Sequence, residues 1–476
     1  MARLLVVPNF PWSDLEPTFH LIKMSSSISS TNDNENTKPR QIRIAIIGAG
    51  LSGLALANGL LKDPSGKFDV QVYERDTIAF DSERGGYQVR ICSNGLGALK
   101  TIADEELWKS LREVWEGDDA KAPAFVDPST FDIHLRLGDL KIYPKSRPVS
   151  RMLLRHALLR PLLATKRVHL SHKFENFTLG QDGGVQLHFT DRDSQNADIL
   201  VAADGSGSQV NRQVGLNNKT KLKDWILVQS RGIIDKATRD KLPRSLLESG
   251  AVMTMGGKGM SGYASVCAAT PDPDNKDKEE YNLFWSAVVP TARGEQLLEK
   301  ADHDPKKVVP LFADYLREEL GYGEILPSIV RSATDLPRTG VVSSSVRPKE
   351  DWRKGIDKNA RIILLGDALH PMTPGRGMGA NQALTDAGNL VKLLTAVTFE
   401  KEVPSDKELA TLAREFDAEM YPRAFKMVKA SEDFLNLDLT KASGRLFLKG
   451  VWLLMTVLGW GVSVLEAVGL KTPVVL

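Results

Sequence analysis

Residues 41–61 read QIRIAIIGAGLSGLALANGLL, and after a short polar turn residues 68–76 read FDVQVYERD. The apolar run Ile42 to Ile47 predicts a buried strand, the stretch from Ser52 to Leu61 has helical composition, and Val70 to Tyr73 predicts a second strand. Gly48, Gly50 and Gly53 form G-x-G-x-x-G at the first junction. Gly48 permits the tight turn, Gly50 lets backbone approach a pyrophosphate, and Gly53 lets helix and strand pack closely. The helix N-terminus then faces the anion. Glu74 ends the second strand about 20 residues beyond Gly53, where a carboxylate accepts hydrogen bonds from both hydroxyls of an adenosine ribose and repels a 2′-phosphate. Three glycines in a strand-helix turn can serve packing alone. The strand before this turn, the helix after it and the acid at the expected distance favour a dinucleotide.

The rest of the chain bounds what such a turn can belong to. Of 476 residues, 42% are hydrophobic and 26% charged, which excludes disorder, collagen and coiled coil as whole-chain descriptions. The length suits about two to four domains or one large interleaved fold, enough to enclose a cofactor. Lys+Arg total 62 against 60 Asp+Glu, with signs mixed throughout, so no nucleic-acid partner is expected. Cys92 and Cys267 are the only cysteines and the eight histidines are scattered, so no disulfide framework and no metal site is expected, and the cysteine usage fits a reducing, cytoplasmic-side location. Residues 1–40 hold little to bury and no apolar run long enough for a secretory segment; they are expected to be a disordered extension.

Two distant segments decide the kind of dinucleotide. In RIILLGDALHPMTPGRGMGANQALTDAGNLVKLL an apolar strand ends at Gly366-Asp367, a loop stiffened by Pro371 and Pro374 follows, and Gly377 and Gly379 permit close backbone approach before a helix begins near Ala380. In ADILVAADGSGSQVNRQVG a strand ends in Asp204-Gly205, with Ser208 following. The first segment resembles the G-D motif of the FAD-dependent monooxygenases related to para-hydroxybenzoate and salicylate hydroxylase, including their fungal secondary-metabolism members, with Asp367, Pro374, Gly377, Gly379, Asn381 and Asp386 in matching positions. The second resembles the same family's D-G motif, except that Asn211 stands where the family usually has Arg, with Arg212 next.

The resemblance covers roughly residues 41–435 and implies the following. The fold is α/β: a Rossmann-like FAD-binding βαβ domain, residues 41–220 and 345–400, interleaved with an antiparallel-sheet substrate domain, residues 221–344, and followed by C-terminal helices over 401–445. FAD binds noncovalently through Gly48, Gly50, Gly53, Glu74, Asp204, Asp367, Pro374, Gly377, Gly379, Ala380 and Asn381. Arg151, which opens a long helix, lies beside the flavin, and Gly86 and Arg90 lie on the strand and turn that pass it. NADPH or NADH reduces the flavin, O2 forms the C4a-hydroperoxide, and a small hydrophobic or aromatic substrate is hydroxylated or epoxidised. The lack of a second G-x-G-x-x-G fits a donor that visits transiently. A flavin-dependent reductase of prenyl chains and a halogenase share the fold and stay as alternatives, the halogenase disfavoured because W-x-W-x-x-I-P is absent.

Between the two motifs ILVQSRGII, AVMTMGG, GYASVCAA and YNLFWSAVV alternate like strands of an antiparallel sheet. Arg231 lies mid-strand there, where a buried cation needs a partner; the resemblance makes it the candidate catalytic residue, holding a phenolate or supporting proton transfer to the flavin peroxide, against an outward-facing salt-bridged arginine. Tyr263 and Trp285 either line the same cavity or serve the core. His370 reads as a loop histidine with backbone partners. At the far end Gly450 to Leu465 carries no charge and lies beyond Arg423, Lys426, Lys429, Lys441, Arg445 and Lys449. Residues 446–470 are expected either to meet an intracellular membrane or to pack as a buried helix.

Overall fold

The computed structural model describes residues 40–76, 88–115, 123–137, 146–180, 183–255, 261–268, 279–332, 338–349, 352–353, 359–435 and 441–447, with 449–451, 453, 454 and 457. Gly86 and the expected extension over 1–39 lie outside the described residues.

A parallel sheet of five strands carries the glycine turn, in the order Ile362–Leu364, Ile199–Ala202, Ile42–Ile47, Phe68–Tyr73 and Val168–His169. Its strands are near-continuous β-branched and aliphatic runs because both faces are covered. Ile44, Ile46, Val70, Val72, Leu200 and Ile362 are all essentially inaccessible, and each such side chain contributes roughly 1.5–3 kcal/mol on leaving water. The helices Leu51–Leu61 and Gly379–Ala396 pack on each other, and Ser93–Ile102 and Arg151–Ala164 close around them. Small residues set these distances: a Cβ on Gly59 would lie 2.5 Å from the Val391 side chain, and one on Gly388 3.1 Å from Ala98.

The second layer is a seven-stranded sheet in the order Arg338–Ser345, Lys219–Asp235, Glu280–Pro290, Ser261–Ala268, Ala251–Met255, Ala124–Val126 and Ile133–Arg136. All pairings are antiparallel except that between Ala251–Met255 and Ala124–Val126. One face is dry: Ile226, Val228, Ala264, Leu283 and Trp285 meet Phe312, Leu316, Leu326 and Ile329 from the helices Pro305–Glu318 and Ile325–Ser332. Trp285 stacks on Phe312 at 5.4 Å and is core, not cavity lining. The division by residue number expected from the sequence is crossed by the threading, since Ala124–Val126 and Ile133–Arg136 come from within the 41–220 stretch. Strands of three and four residues are too short to show alternation, and their place is fixed by pairing with a strand more than a hundred positions away.

The helix Asp406–Leu435 closes the chain over the G-D segment. Residues 442–447 are helical, as are 449–451, 453, 454 and 457. Among the described residues no helix is long and apolar enough to cross a membrane; most of the expected 446–470 segment lies outside them.

Candidate active site

The glycine turn is held from both sides. Gly48 adopts φ +103°, a region that costs a residue with a Cβ steric energy, and a Cβ there would fall 2.4 Å from the Ala203 carbonyl oxygen. A Cβ on Gly53 would fall 2.1 Å from the Gly48 carbonyl oxygen, so helix and turn touch backbone to backbone. Gly50 caps the helix and has open space where a side chain would be. Glu74 is buried; its Oε2 accepts from the Ala49 N–H at 2.8 Å and its Oε1 from the Asp76 N–H at 3.1 Å.

A residue that sequence reasoning missed completes this corner. Arg155 is 6% exposed, donates from Nε to the Ala49 carbonyl at 2.6 Å, and reaches Glu74 at 3.3 Å and Asp76 at 3.5 Å. It sits one helical turn after Arg151 on the helix Arg151–Ala164. A long basic residue inside an otherwise apolar helix face is the signal that could have found it, because a buried cation requires acidic partners.

The G-D segment meets the strand Gln88–Ile91 through Asn381. Its Oδ1 accepts from the Cys92 N–H at 2.8 Å, and its Nδ2 donates to the Arg90 carbonyl at 2.8 Å and to the Gly377 carbonyl at 3.3 Å. The Asn381 side chain therefore positions backbone. The loop before it is pinned by Thr373 Oγ1 donating to the Ser431 carbonyl, by Ser345 Oγ donating to the Pro371 carbonyl, and by Gly375 lying against the Phe434 ring. Pro374 begins a single 3-10 turn, Gly377 turns the chain at φ +62°, and the helix starts at Gly379 with Ala380 partly accessible. The first N–H groups of that helix have no intrahelical partner and point where its dipole favours negative charge. Arg90 itself donates from Nε to Ser146 Oγ at 3.1 Å.

Asp367 lines the resulting cleft. Its carboxyl is exposed, yet the protein packed around it pushes it up from the usual range, opposed by the positive charges of His370, Arg151 and Lys219. Arg151 and Asp367, singled out separately in the sequence, thus act on one another. Behind them runs a buried charge chain. His370 Nε2 meets Asp386 Oδ2 at 2.6 Å, Asp386 Oδ1 accepts from Arg423 at 2.8 Å, and the Gly366 N–H donates to Asp386 at 2.8 Å. Burial alone would lower the imidazole, but the carboxylate of Asp386 outweighs it and His370 is raised; Asp386 is held low by His370 and Arg423 against its own burial. The partner of the His370 ring is thus a carboxylate, while its backbone N–H bonds the Gly366 carbonyl.

At the D-G loop Asp204 is raised by burial; its Oδ2 accepts from the Gln209 N–H at 2.9 Å, and its Oδ1 is buried without a partner among the described residues. Asn211, which stands in the family's usual Arg position, is buried and donates to the Ala368 carbonyl and to Asn218 Oδ1, both at 2.8 Å. Arg212 is exposed and reaches the Gly207 carbonyl at 3.0 Å.

Above the helix start lies the second face of the seven-stranded sheet. Arg231 stands directly opposite Phe284, Phe284 opposite Ser265, Tyr263 opposite Met253 and Met253 beside Phe125, so these share the face turned away from the dry core. Tyr263 and Phe284 rings lie 6.1 Å apart, Phe125 lies 6.0 Å from Phe434, and the Tyr263 hydroxyl donates to Gln88 Oε1 at 3.4 Å. Arg231, on the same strand face, is half-buried.

These residues fit FAD. The Asp204 oxygen without a partner among the described residues, the exposed carboxyl of Asp367, the open backbone at Gly50, Gly205, Gly207 and Gly377, and two helix starts are what a pyrophosphate, a polyol chain and an anionic ring edge require. Among the described residues no cluster of metal-ligating side chains occurs.

Known proteins agree with this geometry. The model of the FAD binding domain family matches residues 41–326 and 329–416. The chain is 26% identical over 396 residues to the FAD-dependent monooxygenase tazP of Aspergillus terreus, covering 79% of this chain and 94% of that one. It is 27% identical over 367 residues to 3-amino-4-hydroxybenzoate 2-monooxygenase of Streptomyces cremeus, covering 75% and 79%. Among solved structures, Klebsiella pneumoniae HpxO complexed with FAD and uric acid superposes with a TM-score of 0.64 at 19% identity, over 87% of this chain and 92% of that one, which shows a shared fold.

Proposed function

Because this chain belongs to the FAD binding domain family and is a flavoprotein monooxygenase of the aromatic-hydroxylase type, we propose that it uses NADPH or NADH and O2 to hydroxylate or epoxidise a small hydrophobic or aromatic metabolite in a biosynthetic pathway. The observation that carries this reading is the half-apolar sheet face of Phe125, Met253, Tyr263 and Phe284 with Arg231 among them, standing over the strand that Asn381 ties to the G-D helix. Such a surface takes a flat apolar ring and one acidic or hydroxyl group.

FAD, when bound, supplies hydride acceptance from the donor and activation of O2. The protein does the rest. Glu74, held by Ala49 and Arg155, accepts from the ribose hydroxyls; Asp204 and Asp367 accept from hydroxyls further along the cofactor; Arg151 balances the carboxylate of Asp367. The free N–H groups at Gly379 and Ala380 stabilise negative charge on the ring edge. Arg231 attracts and orients a substrate oxygen carrying partial or full negative charge, and the aromatic face excludes water from it. The fold also hosts prenyl-chain reductases and halogenases; the cation Arg231 among aromatics favours oxygenation of an aromatic ring.

The test is anaerobic mixing of the FAD-loaded protein with each donor, followed by oxygen and aromatic candidates carrying a phenol or carboxylate. Donor oxidation quickened by one such compound, with an oxygenated product formed only in air, is expected, and Arg231→Met should raise that compound's KM about tenfold or more. Product formed under nitrogen would overturn the reading in favour of a reductase.

We further propose that the C-terminal end rests on an anionic membrane surface. Leu446, Phe447, Leu453, Leu454 and Val457 are each more than half exposed and, at helical spacing, share one side, with Lys441, Arg445 and Lys449 on its flank. That combination describes a helix lying in the interface rather than one crossing it.

A further inference from the structure

We infer that the cavity between the five-stranded sheet and the strand Arg192–Ala197 is a second small-molecule site, one that takes a flat organic acid.

One strand departs from the pattern of the sheet it belongs to. Parallel strands covered on both faces read as continuous apolar runs, yet Phe68–Tyr73 alternates, with Phe68, Val70 and Val72 buried and Asp69 and Gln71 half-buried. Pairing sets Arg43 opposite Asp69, Ala45 opposite Gln71 and His169 opposite Tyr73, so a polar surface runs across this face. Arg192–Ala197, of the three-stranded sheet with Val185–Phe189 and Phe174–Leu179, approaches the same face. It is tied on by Asp198, whose N–H donates to the Arg43 carbonyl at 2.8 Å and whose carboxylate accepts from the guanidinium groups of Arg40 and Arg43, each at 2.9 Å. Between these elements lies a cavity of about 550 Å³, within the range of roughly 300–1,000 Å³ that small-molecule sites occupy.

The cavity has an aromatic wall. Tyr73 and His169 stack with ring centroids 5.0 Å apart and 19° between their planes, and His172 tilts against Tyr73 at 5.5 Å. The wall is held in place by hydrogen bonds: Gln71 donates to Asp69 Oδ1 at 2.9 Å, which leaves its carbonyl oxygen to accept from His169 Nε2 at 2.8 Å, and His172 Nδ1 donates to the Leu170 carbonyl at 2.8 Å. Other groups on the cavity are left over. The Tyr73 hydroxyl, the Gln195 and Asn196 amides and the Lys166 ammonium have no hydrogen-bond or ionic partner among the described residues.

The charges select the ligand. Asp198 answers both Arg40 and Arg43, Asp69 answers Arg167, and Lys166 has no carboxylate, so four cations stand against two anions. An arriving anion restores the balance. A flat ring stacks on the wall of Tyr73 and His169, its carboxylate meets Lys166 and the two amides, and a ring hydroxyl or nitrogen meets the Tyr73 hydroxyl. The site is separate from the cofactor's, because successive side chains along a strand point to opposite faces: Tyr73 lines the cavity, whereas Glu74, next to it, reaches the Ala49 N–H and Arg155 at the glycine turn.

The experiment titrates benzoate, nicotinate and indole-3-acetate, with benzamide and nicotinamide as uncharged counterparts, into the FAD-loaded full chain by calorimetry. Wild type is compared with Arg231→Met, which removes the cation of the proposed substrate face, and with Arg231→Met carrying either Lys166→Gln or Lys166→Gln/Tyr73→Phe. Lys166 is exposed, so its single variant keeps the test open should the Tyr73 change disturb folding. The expected result is that Arg231→Met still binds at least one of the acids, and binds it more tightly than an uncharged counterpart. Its Kd should rise up to about fivefold with Lys166→Gln and about tenfold or more with both changes, while the FAD Kd stays near that of wild type. No acid bound by wild type, binding lost with Arg231→Met, or a Kd unmoved by the two cavity changes overturns the site. A parallel rise in FAD Kd also overturns it, giving the cavity to the cofactor.

Discussion

Asn381→Ala should uncouple the flavin helix from the strand that crosses it. The side chain is 1% exposed and makes three hydrogen bonds, with the Cys92 N–H, the Arg90 carbonyl and the Gly377 carbonyl. Truncation leaves at least the half-buried Cys92 donor and Arg90 acceptor without the Asn381 side chain, each costing up to about 1–3 kcal/mol. The expected loss of stability is therefore about 2–5 kcal/mol, a large share of a typical domain's margin. The same amide sets the direction of the N–H groups at Gly379 and Ala380, so part of the loss should surface as cofactor affinity, about tenfold in FAD Kd for each 1.4 kcal/mol. Urea unfolding with and without FAD separates the two components. Asn381→Asp sharpens the test, since a carboxylate keeps the bond from Cys92 but turns an anion toward two carbonyl oxygens, and it should be at least as damaging. An alanine variant within about 0.5 kcal/mol of wild type, with an FAD Kd within twofold, would refute the claim that this side chain works by holding backbone.

Two other outcomes follow from the buried charges. Arg155→Met removes the cation between the Ala49 carbonyl, Glu74 and Asp76; it should cost about 3–5 kcal/mol by leaving the buried Glu74 carboxylate unpaired and weaken FAD retention in ultrafiltration, whereas Arg155→Lys, which keeps the charge, should recover part of both. Equal behaviour of the two variants would show that charge is not what Arg155 contributes. His370 is raised by Asp386, so its contribution is complete below an unfolded value of about 6.5 and is lost as pH rises through the higher folded value; the urea midpoint of wild type should fall above about pH 6.5 relative to His370→Gln, and parallel midpoints across that range would count against a protonated imidazole.

What could be read in the chain and what could not divides along a physical line. The glycine turn, the acid at the strand end and the G-D loop are legible because each signal is local to its own stretch of chain: Gly48 must turn, Glu74 must follow a strand, and Gly379 must open a helix. The roles of Arg155, Asn211 and Asn218 were not legible, since apart from the bond between the two amides their partners Glu74, Asp76, Ala368 and Leu369 lie 79 to 157 residues away, through bonds that leave no local pattern. The same holds for Ala124–Val126, too short to announce itself yet part of the seven-stranded sheet. Register then supplied what composition could not. Tyr263 and Trp285 sit on strands that pair residue for residue, but Trp285 is aligned with Ala264 and Ser230 on the dry face and Tyr263 with Met253 on the other, so two aromatics with equal claims to a cavity receive opposite roles.

That division bears on where specificity lies in this protein. The cofactor half is over-determined: backbone contacts at Gly48 and Gly53 and the chain His370, Asp386, Arg423 leave little room for a side chain to vary without loss of the fold. The sheet face is held differently. Its strands are anchored by the opposite, dry face through Trp285, Phe312 and Leu283, so Phe125, Met253, Arg231 and Phe284 can change identity while the strands stay in register, because alternation assigns the two faces independent tasks. If the proposed face binds the substrate, substrate choice is free to change on one side of a sheet whose other side keeps it folded. The reach of that freedom ends at Tyr263, whose hydroxyl bonds Gln88 on the strand that Asn381 straps to the flavin helix; a change there moves both halves at once.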